Sequence, residues 1–249
     1  MSKRVLLTIE YDGSAYCGFQ RQLNGPSVQH ELEKALGKLC RVPVSIIGAS
    51  RTDAGVHALG QRAHFDLQGS IPPEKLPFAV NTMLPADIRV TAARQVADAF
   101  HARFDARGKI YRYVIHNRRH ASALHRQHSA HVSLPLDMEV MRRAAQALIG
   151  RHDFAAFQAA GGTAKTTVRS IKALSLDKQG DQIIMLIEGD AFLYNMVRII
   201  AGTLIAVGSN KLGEDAFRQA ILTGDRLCLG PTAPAQGLTL MRVYYEDEG

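Results

Sequence analysis

Val5-Leu6-Leu7-Thr8-Ile9-Glu10-Tyr11 and, after a polar turn, Pro26-Ser27-Val28-Gln29-His30-Glu31-Leu32-Glu33-Lys34-Ala35-Leu36-Gly37-Lys38-Leu39 decide the fold. In the first stretch Val5, Leu7, Ile9 and Tyr11 alternate with their neighbours at the two-residue period of a strand. In the second, Val28, Leu32, Ala35, Leu36 and Leu39 keep a helical period for three turns, and Ser27 stands where a helix wants an N-cap. Outward from this β-α start, residues 44–47 and a run carrying Ala63, Phe65 and Leu67 read as two strands. Residues 74–83 read as a short helix behind a proline pair, and 88–92 as a last strand. The order is β-α-β-β-α-β.

The pattern then restarts. Residues 110–116 form a strand, and Met138, Met141, Ala145 and Leu148 share one helix face that stops at Gly150. Strands at 170–176 and 182–188 follow. A helix carries Met196, Ile199, Ile200, Thr203, Leu204 and Val207, an extra helix covers 214–223, and a strand closes the chain at 238–245. The same β-α-β-β-α-β order implies an α+β protein of two ferredoxin-like, split βαβ halves, residues 1–105 and 106–249. Their antiparallel sheets are expected to meet at a central cleft. The repeat is topological, with no residue-level identity between the halves.

Of 249 residues, 46% are hydrophobic and 21% charged, enough apolar side chain for a sizeable core, which excludes disordered and fibrous classes. The apolar run 191–208 is broken by Asn195 and Arg198, so it reads as a buried helix and not as a membrane span. The first residues pass straight into a strand with no small-residue cleavage site, which sets the cytoplasm as the expected location. Cys17, Cys40 and Cys228 are widely spaced with no CxxC pair and read as inert thiols. Lys and Arg number 30 against 23 Asp and Glu, a formal charge of +7 that favours a polyanionic partner.

Chemistry concentrates in Gly48-Ala49-Ser50-Arg51-Thr52-Asp53-Ala54-Gly55-Val56-His57-Ala58-Leu59-Gly60, which separates two expected strands and is longer than a hairpin needs. An isolated Arg-x-Asp triplet is most often an Asx turn with a surface ion pair. The full string, however, resembles the G-x-x-R-T-D-x-G-V-H motif of the tRNA pseudouridine synthase A family. The resemblance extends through Tyr11-Asp12-Gly13, Gly18-Phe19-Gln20-Arg21-Gln22, Phe100-His101-Ala102-Arg103-Phe104, Lys109-Ile110-Tyr111-Arg112-Tyr113, Asn195-Met196-Val197-Arg198 and Ala235-Gln236-Gly237-Leu238, in the family's order. Phe19, usually Trp in the family, and Ser14, often Thr, depart from it.

The resemblance implies an isomerase that detaches uracil from ribose C1′ and reattaches it through C5, at positions 38, 39 and 40 of the tRNA anticodon stem-loop. It implies a homodimer, one tRNA touching both subunits, and no metal or organic cofactor. By resemblance Asp53 is the carboxylate at C1′. Such a carboxylate in a water-poor cleft needs a cation to stay ionised, and Arg198 is the candidate. Its following helix positions, Ala201 and Gly202, leave room for close approach by another backbone. Arg51 is implied to hold the tRNA and flipped nucleotide, Tyr111 to stack on the target base, and Leu238 to wall the pocket.

Two other readings have residues behind them. Asp53, His57, His64 and Asp66 would serve a metal-dependent nuclease, although phosphate-cleaving sites usually gather more carboxylates. A non-catalytic RNA-binding module would use tyrosines on paired sheets, but no RNP string is present. Histidines 116, 120, 125, 128 and 131, set among Arg118, Arg119 and Arg126, have no clean metal-ligand spacing. They form either a solvated basic loop or a phosphate grip.

Overall fold

Val5, Leu7, Ile9 and Tyr11 are buried in β1 (Ser2–Tyr11), and Leu6 on the opposite face is buried as well, the signature of a strand covered on both sides. The computed structural model describes residues 2–23 and 25–246. After β1 come α1 (Val28–Cys40), β2 (Ile47–Gly48), β3 (His57–Gln68), α2 (Leu76–Val80), β4 (Ile88–Gln95) and β5 (Gly108–Asn117). Then follow β6 (Ala130–Val132), α3 (Met138–Ala145), β7 (Gly150–Asp153), β8 (Val168–Gln179), β9 (Gln182–Gly189), α4 (Met196–Gly208), α5 (Ala216–Thr223) and β10 (Leu238–Tyr244). The fold is mixed α+β, with mostly antiparallel strand pairing. Among the described residues no helix is long and apolar enough to cross a membrane.

The chain divides into two compact units, Met1–Arg107 with Thr239–Gly249, and Gly108–Leu238. In the first, β1 pairs antiparallel with β3 on one side and β4 on the other, and β2 pairs antiparallel with β3. The boundary at 105/106 leaves the final strand with the second half. In the structure the residues from Thr239 on belong to the first unit, because Thr239 and Leu240 run parallel to His57 and Ala58 of β3. In the second unit, β5 pairs with β9, β9 with β8 and β8 with β7, all antiparallel, and β6 adds in parallel to β5.

α1 forms where its pattern puts it. Ser27 accepts the N–H of His30, and Val28, Leu32, Ala35 and Leu36 are buried, at roughly 1.5–3 kcal/mol for each large aliphatic side chain. Three local expectations are corrected. Residues 44–46 are not strand: Ile46 gives its N–H to Glu33 Oε1 and its carbonyl accepts from Gln29 Nε2, so α1 side chains take both groups that a ladder would use. The helix expected over 74–83 is a 3-10 turn at Pro73–Lys75 followed by the five-residue α2, stopped where Asn81 turns its side-chain amide to both backbone groups of Val90. The long loop is shorter than its string, since β3 begins at His57. α3 ends at Ala145 and a 3-10 turn, Gln146–Leu148, completes it before Gly150, whose φ is +108°.

Candidate active site

The loop carrying Asp53 is held at nearly every residue. Gln61 of β3, fully buried, accepts the N–H of Ser50 at 3.2 Å and donates to its carbonyl at 2.8 Å. The hydroxyls of Tyr11 and Thr52 lie 2.7 Å apart in the interior, and the Phe19 N–H donates to the Thr52 carbonyl at 3.2 Å. The Asp53 backbone carbonyl closes a turn by accepting the Val56 N–H at 3.1 Å, and the Gly55 N–H reaches the Tyr16 carbonyl at 3.3 Å. Gly55 has φ +78°, a left-handed conformation that suits glycine. His57 Nδ1 lies 3.1 Å from the Gly13 backbone nitrogen and 3.1 Å from Asp12 Oδ1, so this ring nitrogen ties the start of β3 to the 12–13 turn.

This hold has a sequence cause. At Gly13 an added Cβ would lie 2.0 Å from the Val56 carbonyl oxygen, and at Gly18 (φ +106°) 2.5 Å from that of Thr52, so only glycine lets the 12–19 segment lie against the loop. A bulge between β1 and β3, where Ile9 faces Gln61 but Tyr11 faces Ala58, brings the start of β3 into line with the loop. Asp53 itself is half-buried and Arg51 on the same loop is exposed. Tyr11, Gln61 and His57 are therefore the supporting residues of the loop. Of these the sequence marked Tyr11 and His57 within the resembling segments, neither with a supporting role, and passed over Gln61.

In the second unit, Arg198 sits in the first turn of α4 with Nε on the Ala233 carbonyl at 2.8 Å and Nη1 on Asn195 Oδ1 at 2.9 Å. Asn195 takes φ +61°, a conformation asparagine tolerates, and spends its side chain on Arg198 instead of capping the helix. The close approach expected at Gly202 is there: a Cβ would lie 1.8 Å from the Pro231 carbonyl oxygen. The Gly230 N–H reaches Thr203 Oγ1 at 3.0 Å, and the Ala233 N–H reaches the Arg198 carbonyl at 3.0 Å.

The same segment continues past Tyr113, whose hydroxyl donates to the Pro234 carbonyl at 2.8 Å, into the turn Ala235–Gly237 that delivers Leu238, buried. Burial pushes the Tyr113 hydroxyl up, against a smaller downward pull from Arg198, so it remains a donor. Tyr111 lies two residues along the same strand face, buried, its ring edge-on to Phe192 at 5.3 Å. Arg198, Leu238 and the two tyrosines are thus positioned by β5, α4 and the 230–238 segment.

The nuclease set does not assemble among the described residues. Asp66 is paired with Arg4 at 2.8 Å, and His64 Nδ1 accepts the Ala102 N–H at 3.1 Å. His116 is buried, with His125 and His131 rings 5.4 and 6.4 Å away, while residues 118–128 are largely exposed.

A family profile described as tRNA pseudouridine synthase matches residues 7–105 and 144–246, more than half of the chain. The tRNA pseudouridine synthase A of Ruminiclostridium cellulolyticum is 48% identical over 98% of this chain and 100% of its own length. That of Acetivibrio thermocellus is 49% identical with the same coverage. Among solved structures, a chain of a Cbf5–Nop10–Gar1 complex matches with a TM-score of 0.42 and 14% identity over 97% of this chain and 50% of that one, too distant to add to the argument.

Proposed function

We infer, from the premise that this chain belongs to the tRNA pseudouridine synthase family, that it rebuilds uridines 38, 39 and 40 of the tRNA anticodon stem-loop with Asp53 as its nucleophile. The enzyme is a pseudouridine synthase, an isomerase. Its reaction breaks the N1–C1′ bond and forms C5–C1′; the C5 proton leaves and N1 gains one, so electrons balance without an oxidant or reductant. What the protein must supply is a carboxylate aimed at C1′, a means of keeping it ionised, an aromatic face for the displaced base and cations for the RNA backbone.

The observation that carries the reading is the hold on the Asp53 loop: it is tied at residues 50, 52 and 55, and at His57 where β3 begins, by partners from β1, β3 and the 13–19 segment, and it closes on itself through the Val56 N–H to the Asp53 carbonyl. Such preorganisation is what a covalent step at a defined carbon requires and what a surface Asx turn does not. In this reading Arg198, oriented by Asn195 and Ala233, supplies the cation for the carboxylate; Tyr111 stacks on the base, Leu238 walls the pocket and Arg51 meets the RNA backbone. The ferredoxin-like character of the halves belongs to the same proposal, supported in the first by the order β4-β1-β3-β2. So do the homodimer, the absence of any cofactor requirement and a cytoplasmic location.

The test is pseudouridine mapping on tRNA incubated with the purified protein. Modification at the three named positions is expected, surviving excess EDTA. Asp53→Asn, which keeps shape and removes the charge, is expected to abolish it with tRNA binding nearly intact, because affinity comes from many phosphate contacts. Pseudouridine formed by Asp53→Asn at more than a small fraction of the wild-type rate removes Asp53 from its role, and chelator-sensitive strand scission overturns the reading altogether.

A further inference from the structure

A polar cleft of about 450 Å³ opens beside α1, lined by Gln20, Arg21, Gln29, Glu33 and Ser45 among others. Its volume falls in the range of small-ligand sites, ~300–1,000 Å³. Its floor is a carboxylate with every requirement met: Glu33, whose side chain is 4% exposed, accepts the Ile46 N–H and the Gln29 amide through Oε1, each at 3.0 Å, and pairs with Arg21 through Oε2. Gln29 also accepts the backbone N–H of Arg21 at 3.0 Å. Arg21 is thus fixed at its backbone and at Nη2, yet its side chain is 58% exposed, and among the described residues its other guanidinium N–H groups meet no protein acceptor.

An ion pair between two exposed chains holds neither partner still. Here one partner is buried and locked, so the guanidinium is oriented before any ligand arrives, and its remaining donors form the planar edge that suits a phosphate. Glu33 offsets one unit of charge, which favours the single charge of a phosphodiester over a phosphate dianion. Gln20 and Ser45, both exposed at the rim, offer an amide and a hydroxyl of the kind that meet ribose hydroxyls.

The placement ties this cleft to the chemistry. Arg21 lies two residues beyond Phe19, whose N–H holds the carbonyl of Thr52, the residue before Asp53. An RNA backbone seated on Arg21 therefore registers the strand against the same turn that holds the nucleophile.

We propose that this cleft binds one backbone nucleotide of the tRNA outside the reacting uridine, its phosphodiester on Arg21 and its ribose hydroxyls on Gln20 and Ser45. The inference rests on the tRNA reading above. Its test is binding of unmodified tRNA transcript over a salt series, together with single-turnover conversion at saturating enzyme. Arg21→Gln is expected to weaken binding about tenfold at low salt and to reduce the slope of log K against log salt by about 0.7–0.9, one phosphate contact. Arg21→Lys keeps the charge and is expected to keep the slope. Ser45→Glu, which leaves the Arg21–Glu33 pair intact and adds an anion to the cleft lining, is expected to weaken binding comparably and decides the matter if Arg21→Gln folds poorly. Arg21→Gln, which loses the register set at Arg21, is expected to slow single-turnover conversion at saturating enzyme as well. A wild-type salt slope in a folded Arg21→Gln, or unchanged binding in Ser45→Glu, overturns the proposal. A wild-type protein that neither binds nor modifies tRNA overturns the functional reading instead.

Discussion

Gly13→Ala puts the hold on the Asp53 loop to a quantitative test. The added Cβ would stand 2.0 Å from the Val56 carbonyl oxygen and 2.6 Å from its carbon, where ordinary contact begins near 3.4 Å, so one side must retreat by about 1.4 Å. The strand side is anchored: Tyr11 is paired with both Ile88 and Ala58, and the Asp12 N–H is bonded to the Asp87 carbonyl at 2.9 Å. The loop is therefore the part that moves. A shift of that size breaks the 3.1 Å bond from Gly13 N–H to His57 and carries Asp53 by roughly 1 Å, a misplacement that can cost on the order of 100-fold in rate, about 2.7 kcal/mol of barrier. Overpacking should also lower stability by about 1–3 kcal/mol. The assay is single-turnover tritium release from tRNA labelled at uridine C5, at saturating enzyme, with tRNA affinity measured alongside. A rate within threefold of wild type, in a variant whose urea midpoint shows the expected loss, would refute the claim that the 12–19 segment sets the position of Asp53. Gly37→Ala is the control: its Cβ would meet nothing closer than 3.4 Å in the last turn of α1, so activity should stay unchanged and stability rise by about 0.5–1 kcal/mol.

Two further outcomes follow from named contacts. Tyr11→Phe and Thr52→Val each remove half of a buried 2.7 Å hydroxyl pair and should each cost about 1–3 kcal/mol of stability, whereas the double variant should cost clearly less than their sum; additive losses in urea titrations would deny the coupling. Burial, with Arg4 as the next cause, lowers His64 from 6.5 to about 4, so the unfolded chain binds a proton that the native one refuses, and stability should fall by about 3 kcal/mol as pH drops from 6.5 to 4. His64→Asn, which keeps an acceptor for the Ala102 N–H, should flatten urea midpoints across that window, and an unchanged pH slope would remove His64 as the cause.

β1 and α1 were readable because their signals are local: a two-residue alternation in one, a capped 3.6-residue stripe in the other. Where the structure departs from expectation, the competing partner is distant in sequence. Ile46 looks like strand until Glu33 and Gln29 take its backbone groups. β7 went unread because Arg151, His152 and Asp153 carry no apolar alternation. At the site, the motif exposed Arg51, Asp53 and His57, but not the contacts that hold the loop: the Tyr11 hydroxyl reaches Thr52 across 41 positions, beside the β-bulge that resets the register between β1 and β3. Glycine is the residue most easily misread here. Gly13 and Gly18 flank a turn that composition alone would pass as pliant, whereas each is glycine because a carbonyl of the Asp53 loop occupies the space of its missing side chain. What reads in the sequence as conformational freedom is, in the fold, the close packing that keeps the carboxylate in place.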